Sequence, residues 1–158
     1  MVKKALVLCL GNDIIADDAV GIHAARLLSE RAAHLADIEE SAVSGVALLE
    51  IFVDYQRAII VDAIYTQKHP PGTILEMKPS DLDRVVAPSP HYAGLPELMD
   101  MAEQMDLVFP KDIVIFAMEI QDSLTVGGEM TQPIIDALPK LVERVEQQLA
   151  LWAESDNV

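Results

Sequence analysis

The pattern of apolar and polar residues along the chain alternates between two periods. Short continuous apolar runs, typical of strands buried on both faces, occupy residues 4–10, 57–64 and 112–118, with weaker strand patterns over 38–43 and 73–77. Apolar residues at helical spacing predict helices over residues 18–33, 46–52 and 95–105, and a terminal helix that starts near residue 131. Pro139 lies within this last pattern, where the helix either kinks or begins its regular part. The alternation of strands and helices predicts an α/β fold.

Length and composition narrow the class of protein. The chain has 158 residues, and we expect one domain over residues 1–153 followed by a frayed tail, residues 154–158. No apolar run reaches the roughly 18 to 20 residues that a membrane span needs. The first apolar run is too short for a secretory signal, so we expect a cytoplasmic protein without a membrane partner. The single cysteine, Cys9, fits a small core residue of the first strand better than a catalytic thiol.

The charge balance excludes some partners. The chain carries 26 acidic residues against 11 lysines and arginines, which gives a formal net charge of −15. Because nucleic acids and anionic membranes bind clustered cations, neither is an expected partner. The acidity itself is explained either by solubility alone or by a basic partner.

Two adjacent aspartates, Asp17 and Asp18, stand at the start of the first predicted helix. An aspartate at this position commonly accepts hydrogen bonds from free backbone N–H groups and complements the helix dipole. One aspartate suffices for that structural role. The loop before the pair is long enough to bring the second carboxylate over the edge of the sheet.

A third aspartate, Asp62, lies near the carboxyl end of the strongest predicted strand. A buried carboxylate is unfavourable unless it has a partner, which is either a group of a neighbouring loop or a ligand. Open α/β sheets bind ligands outside the carboxyl ends of their strands. A structural role and a functional role therefore have equal weight for Asp62.

His91 lies in a loop in which Pro88 and Pro90 restrict the backbone around it and Gly94, three residues later, allows the backbone more conformations. Alone it fits an ordinary surface histidine, as do the other three histidines of the chain. Together with two carboxylates it forms a candidate site for a borderline divalent metal. Metal-binding helix motifs, phosphate-binding glycine loops and serine nucleophile elbows are absent from the sequence, so serine hydrolysis and nucleotide chemistry are disfavoured.

Several of these segments, in this order, resemble the hydrogenase maturation peptidases, which trim the C-terminus of nickel-containing hydrogenase large subunits. Residues 10–12 and 17–21 resemble the opening motif of the family, and Asp62 with Ala63 resembles its strand-end motif. Residues 71–73 match its turn, and residues 89–95 match its histidine loop.

The resemblance implies a three-layer α/β sandwich, in which helices flank a twisted, mostly parallel central sheet of about five strands. It also implies a metal-contacting site at Asp18, Asp62 and His91, which leaves Asp17 to serve the helix start. In the family the metal is nickel already held by the large-subunit precursor, so we expect no tightly bound cofactor of the enzyme's own. Asp18 and Asp62 are the candidates for a catalytic carboxylate of an aspartic-type endopeptidase, and no nucleophile is assigned. We expect a monomer that docks transiently.

The chain departs from the family in one segment. Where the family commonly has an Asp-Gly-Gly-Thr sequence, this chain has Ser41, Ala42 and Val43, and only Gly45 is kept nearby. Side chains restrict the backbone where glycine does not, so the departure leaves the metal-contacting site intact and makes substrate choice an open question.

Two other functions stay open on the sequence. One is a phospho-acceptor receiver domain, although Glu119 occupies the position where a receiver has its lysine. The other is a chaperone that senses nickel in the precursor without cutting it.

Overall fold

The computed structural model describes residues 3–83, 89 and 91–157. The strands are β1 (Lys3–Leu10), β2 (Asp37–Ser41), β3 (Tyr55–Ile64), β4 (Ile74–Met77) and β5 (Asp112–Glu119). The α-helices are α1 (Val20–Arg31), α2 (Leu48–Phe52), α3 (Leu95–Gln104) and α4 (Gln132–Asp156). Short 3-10 turns precede α1 and α2, at Asp17–Ala19 and Gly45–Ala47, and a third covers Pro79–Asp83.

The five strands form one sheet in the order β2-β1-β3-β5-β4. β1, β2, β3 and β5 are parallel, and β4 pairs antiparallel with β5 at one edge. This order also differs from the 2-1-3-4-5 order of receiver-like sheets. The predicted α/β sandwich with a mostly parallel sheet of about five strands is confirmed.

Two separate apolar cores lie on the two faces of the sheet. Successive residues of a strand point to opposite faces, so Val7 and Cys9 of β1 pack on one side and Leu6 and Leu8 on the other. The first core is completed by α1 and α4, and the second by α2 and α3. Cys9 is fully buried, and burial raises the pKa of its thiol, as expected for a core residue.

Helix α1 packs very closely on the end of β1. A Cβ atom placed on Gly21 would lie 2.1 Å from the carbonyl oxygen of Leu10. Only glycine allows this approach, and the approach determines where the loop between β1 and α1 crosses the sheet edge.

The end of the C-terminal helix contacts the sheet. Beyond the predicted domain boundary at residue 153, α4 continues to Asp156. Asp156 forms an ion pair with Arg57 of β3 at 3.0 Å, and the arginine also donates a hydrogen bond to the Trp152 carbonyl. Pro139 lies inside α4 and does not start it.

None of the helices in the described part of the chain is long and apolar enough to cross a membrane.

Candidate active site at the carboxyl edge of the sheet

The strand order creates a crevice between β1 and β3. From β1 the chain crosses through α1 to β2 on one side, and it then returns to form β3 on the other side. Ligands of open α/β sheets bind at such a switch point, outside the carboxyl ends of the strands. Asp18, shortly after β1, and Asp62, near the end of β3, flank this crevice.

Asp62 is fully buried and has three hydrogen-bond partners. One carboxylate oxygen, Oδ1, accepts from the backbone N–H of Ala63 at 2.8 Å. The other, Oδ2, accepts from the Ser89 hydroxyl at 2.6 Å and lies 2.9 Å from Nδ1 of His91. The partner that a buried carboxylate requires is thus the histidine loop, which approaches from the second face of the sheet.

The contact with Asp62 determines the state of His91. A carboxylate only accepts hydrogen bonds, so Nδ1 carries the proton and the lone pair of the neutral ring lies on Nε2. The hydrogen bond to Asp62 raises the pKa of His91, while partial burial of the ring opposes this. The carboxylate therefore both orients the ring and stabilises its protonated form.

Ser89 is a member of the site that sequence reasoning missed. It is buried, and its hydroxyl oxygen lies 3.1 Å from Nδ1 of His91 and accepts the backbone N–H of His91 at 3.2 Å. The arrangement is not a nucleophile triad, because the hydroxyl donates to the carboxylate and not to the imidazole. Its position two residues before the histidine, in a loop rich in proline, was the signal that could have revealed it.

Asp18 is the more accessible of the two candidate carboxylates. Partial burial raises its pKa, the charge of Asp62 adds to this, and His91 opposes it. The three predicted residues are therefore close enough to interact electrostatically, with Asp62 and His91 in direct contact. Within the described ranges, however, no group of three or more His, Cys, Asp or Glu side chains is placed so that it could hold a metal ion, and the search includes Asp18, Asp62 and His91.

Asp17 has a different role from the one predicted. Its side chain caps neither the 3-10 turn nor α1, and it is fully buried. Its carboxylate instead accepts backbone N–H groups of Gln121 at 3.0 Å, Asp122 at 2.7 Å and Thr131 at 2.6 Å. The expectation that Asp17 caps the start of its own helix is therefore wrong, because its carboxylate accepts these backbone donors between β5 and α4 instead.

Glu119, at the end of β5, holds another loop of the same edge. It is buried, and its carboxylate accepts hydrogen bonds from the hydroxyl of Thr66 and, at 2.8 Å, from the backbone N–H of that residue. A receiver domain would place a cation here to bind phosphate, whereas this position carries an anion satisfied by the protein itself.

Comparison with known proteins identifies the family. The model of the HycI family, described as hydrogenase maturation protease, matches residues 22–148, a range that includes Asp62 and His91. The chain belongs to this family. It is accordingly a hydrolase that cleaves peptide bonds, and the receiver-type alternative is wrong.

Individual relatives agree with this assignment. The hydrogenase 2 maturation protease of Escherichia coli strain K12 is 28% identical over 156 residues, which cover 96% of this chain and 92% of that protein. The solved structure of the hydrogenase maturating endopeptidase HybD from Escherichia coli superposes with a TM-score of 0.76 at 23% identity, covering 97% of this chain and 94% of that one. The NiFe hydrogenase maturation protease HybD from Thermococcus kodakarensis superposes with a TM-score of 0.73 at 24% identity, covering 93% of this chain and 99% of that one. At these identities the two structures show a shared fold.

Proposed function

We propose that this protease removes the C-terminal extension of a nickel-loaded hydrogenase large-subunit precursor and recognises the nickel of that precursor through Asp18, Asp62 and His91. The observation that carries the proposal is the contact between Asp62 and His91 at the switch point of the sheet, with Asp18 electrostatically coupled to both. The nickel is part of the substrate, and the enzyme contributes an incomplete set of ligands to it.

His91 is prepared to bind a metal through Nε2. Metal-binding histidines commonly donate their other ring N–H to a carboxylate, which fixes the tautomer and orients the ring. Asp62 provides this carboxylate at 2.9 Å, and Ser89 holds the same oxygen at 2.6 Å. Oδ1 of Asp62 accepts one hydrogen bond, from Ala63, so its remaining lone pair is the one available to an ion while Oδ2 keeps both partners.

Asp18 is the better candidate for chemistry on the peptide bond. Asp62 is fully buried and engaged, whereas Asp18 is only partly buried. A carboxylate held beside a metal-bound carbonyl can orient a water molecule for attack, and the metal polarises the carbonyl as a Lewis acid. Holding the scissile bond beside the nickel would supply several kcal/mol of the barrier by positioning alone.

Substrate choice is proposed to depend on the segment that departs from the family. Ser41 and Ala42 line a cleft of about 330 Å³ with Asn12 and Glu40, beside the end of β1. The backbone N–H of Gly45 in the same loop lies 3.4 Å from the carbonyl oxygen of His91. A change in this loop can therefore alter both the cleft and the histidine segment.

The reaction is proposed to take place in the cytoplasm. The enzyme is proposed to act as a monomer that docks transiently on the precursor and carries no cofactor of its own. Size-exclusion chromatography with light scattering would test the monomer.

Site variants test the proposed function. We expect Asp62→Asn and His91→Ala to abolish processing of a nickel-loaded precursor while far-ultraviolet circular dichroism stays unchanged. His34→Ala, an exposed histidine beyond the end of α1, is the matched control and should cleave normally. Wild-type rates in both site variants would exclude the assignment, and complex formation without cleavage by the wild type would favour the chaperone.

A further inference from the structure

Two loops at the carboxyl edge pair with each other beside Asp18. Residues 11–19 follow β1, and residues 120–131 follow β5; we call them the paired loops. The backbone N–H of Ala16 donates to the carbonyl of Thr125 at 2.9 Å, and that of Gly127 donates to the carbonyl of Ile14 at 2.7 Å. Ile15 and Val126 form an antiparallel bridge between them. The paired loops are thus a hydrogen-bonded unit, further held by the Asp17 carboxylate.

This unit exposes large apolar side chains to an unusual degree. Leu124 is 85% exposed, Val126 71% and Ile14 57%. Single exposed apolar residues are common on protein surfaces, but a group on one short backbone unit beside an active site indicates an interaction surface. Because hydrogen bonds between the two loops already fix the backbone, little backbone entropy is lost when these side chains bind a partner.

A depression adjoins the paired loops and has a defined chemistry. Its volume is about 420 Å³. Its lining combines apolar residues, among them Ala16, Ala19 and Ile135, with the ionisable residues Asp13, His23 and Glu129. Such a lining suits a lysine or arginine, whose aliphatic stem packs on apolar atoms while its cation meets carboxylates.

The charge of the paired loops agrees with this reading. Residues 11–19 and 120–131 contain no lysine or arginine, although besides the buried Asp17 they carry Asp13, Asp18, Asp122 and Glu129. A basic segment would be attracted to this edge, whereas an acidic one would be repelled.

We propose that the paired loops and the adjoining depression dock a segment of the precursor that combines apolar side chains with a lysine or arginine. This inference rests on the proposed function, because it takes the precursor as the occupant. It adds a recognition surface whose docking side chains differ from those that contact the nickel. The two adjoin each other, because Asp17 and Asp18 lie in one of the paired loops. Docking here would orient the extension before the nickel reaches His91.

The apolar part is tested with the double variant Leu124→Ser, Val126→Ser. Both side chains are exposed, so the fold should be retained. We expect its Kd for the nickel-loaded precursor, measured by surface plasmon resonance, to rise about tenfold or more, with a similar rise in KM and little change in kcat. Leu151→Ser is the matched control, because Leu151 is 59% exposed near the far end of α4.

The charged part is tested with Asp13→Asn, Glu129→Gln. We expect weaker binding and a smaller loss of affinity between low and physiological salt than the wild type shows. Glu103→Gln, Glu154→Gln, at exposed positions of α3 and α4, is the control because it removes the same two negative charges.

The outcomes separate this inference from the proposed function. Unchanged Kd in both double variants, with normal binding and cleavage by the wild type, would overturn the docking surface and leave the proposed function standing. If the wild type binds the precursor without cutting it, the proposed function fails, while the Kd values still test the surface. If the wild type does not bind the precursor, both are overturned.

Discussion

Asp17 and Thr131, which are 114 positions apart in the chain, are joined through both the backbone and the side chain of the threonine. The Asp17 carboxylate accepts the backbone N–H of Thr131 at 2.6 Å and its hydroxyl at 2.8 Å. Thr131 is the residue that precedes α4, and its hydroxyl makes this contact instead of capping its own helix. The start of the last helix is thereby fixed to the residue next to Asp18.

Asp17→Asn should destabilise the protein. The buried carboxylate accepts several hydrogen bonds, and an amide would turn an NH2 group toward backbone N–H donors that cannot accept it. We expect a loss of about 2 to 4 kcal/mol in the free energy of unfolding, measured by urea denaturation.

The neighbouring substitution Asp18→Asn is the control for this experiment. The pKa of Asp18 is raised, chiefly by burial, so the folded state disfavours its ionised form. Removing this charge should leave the unfolding free energy at neutral pH unchanged or higher. Equal losses in the two variants would refute the separate roles of the adjacent aspartates.

The stability contributed by His91 should depend on pH. Its folded-state pKa is raised by the hydrogen bond to Asp62, so the fold favours the protonated ring. This contribution is fully present below the unfolded-state pKa of about 6.5 and is lost as the pH rises through the folded-state value. The difference in unfolding free energy between the wild type and His91→Gln should therefore shrink from pH 6 to pH 9. A constant difference would show that the contact does not stabilise the charged ring.

Gly21→Ala should be strongly destabilising, although alanine is the better helix former. The new Cβ would meet the Leu10 carbonyl oxygen at 2.1 Å, so α1 and β1 would have to separate. We expect a loss of about 3 kcal/mol or more, seen as a lowered melting temperature. Gly94→Ala is the comparison, since among the described residues its Cβ would come no closer than 3.9 Å to another group. Similar melting temperatures for both variants would contradict the close approach.

The fold was largely predictable because its signals are local. Buried parallel strands produce apolar runs, and every predicted strand and helix lies within a few residues of its observed position. The course of α4 beyond residue 153 was not predictable, because the partner of Asp156 is Arg57, a residue 99 positions away that no local pattern reveals.

The site was predictable only in part, because some of its contacts join residues that are far apart in the sequence. The family resemblance pointed to Asp62 and His91, which the structure brings into contact. The roles of Ser89 and Asp17 depend on hydrogen bonds to Asp62 and Thr131, and such contacts exist only once the loops are folded together. Adjacent aspartates look equivalent in the sequence, and the environment of each decides its function.

The most direct test of the account is the intact mass of a hydrogenase large-subunit precursor after incubation with the protein. One sample of the precursor is loaded with nickel and a matched sample is metal-free. We expect the nickel-loaded precursor to lose its C-terminal extension and the metal-free precursor to keep its full mass. Equal cleavage of both samples would contradict recognition of the precursor's nickel by Asp18, Asp62 and His91, and cleavage of neither would contradict the proposed processing.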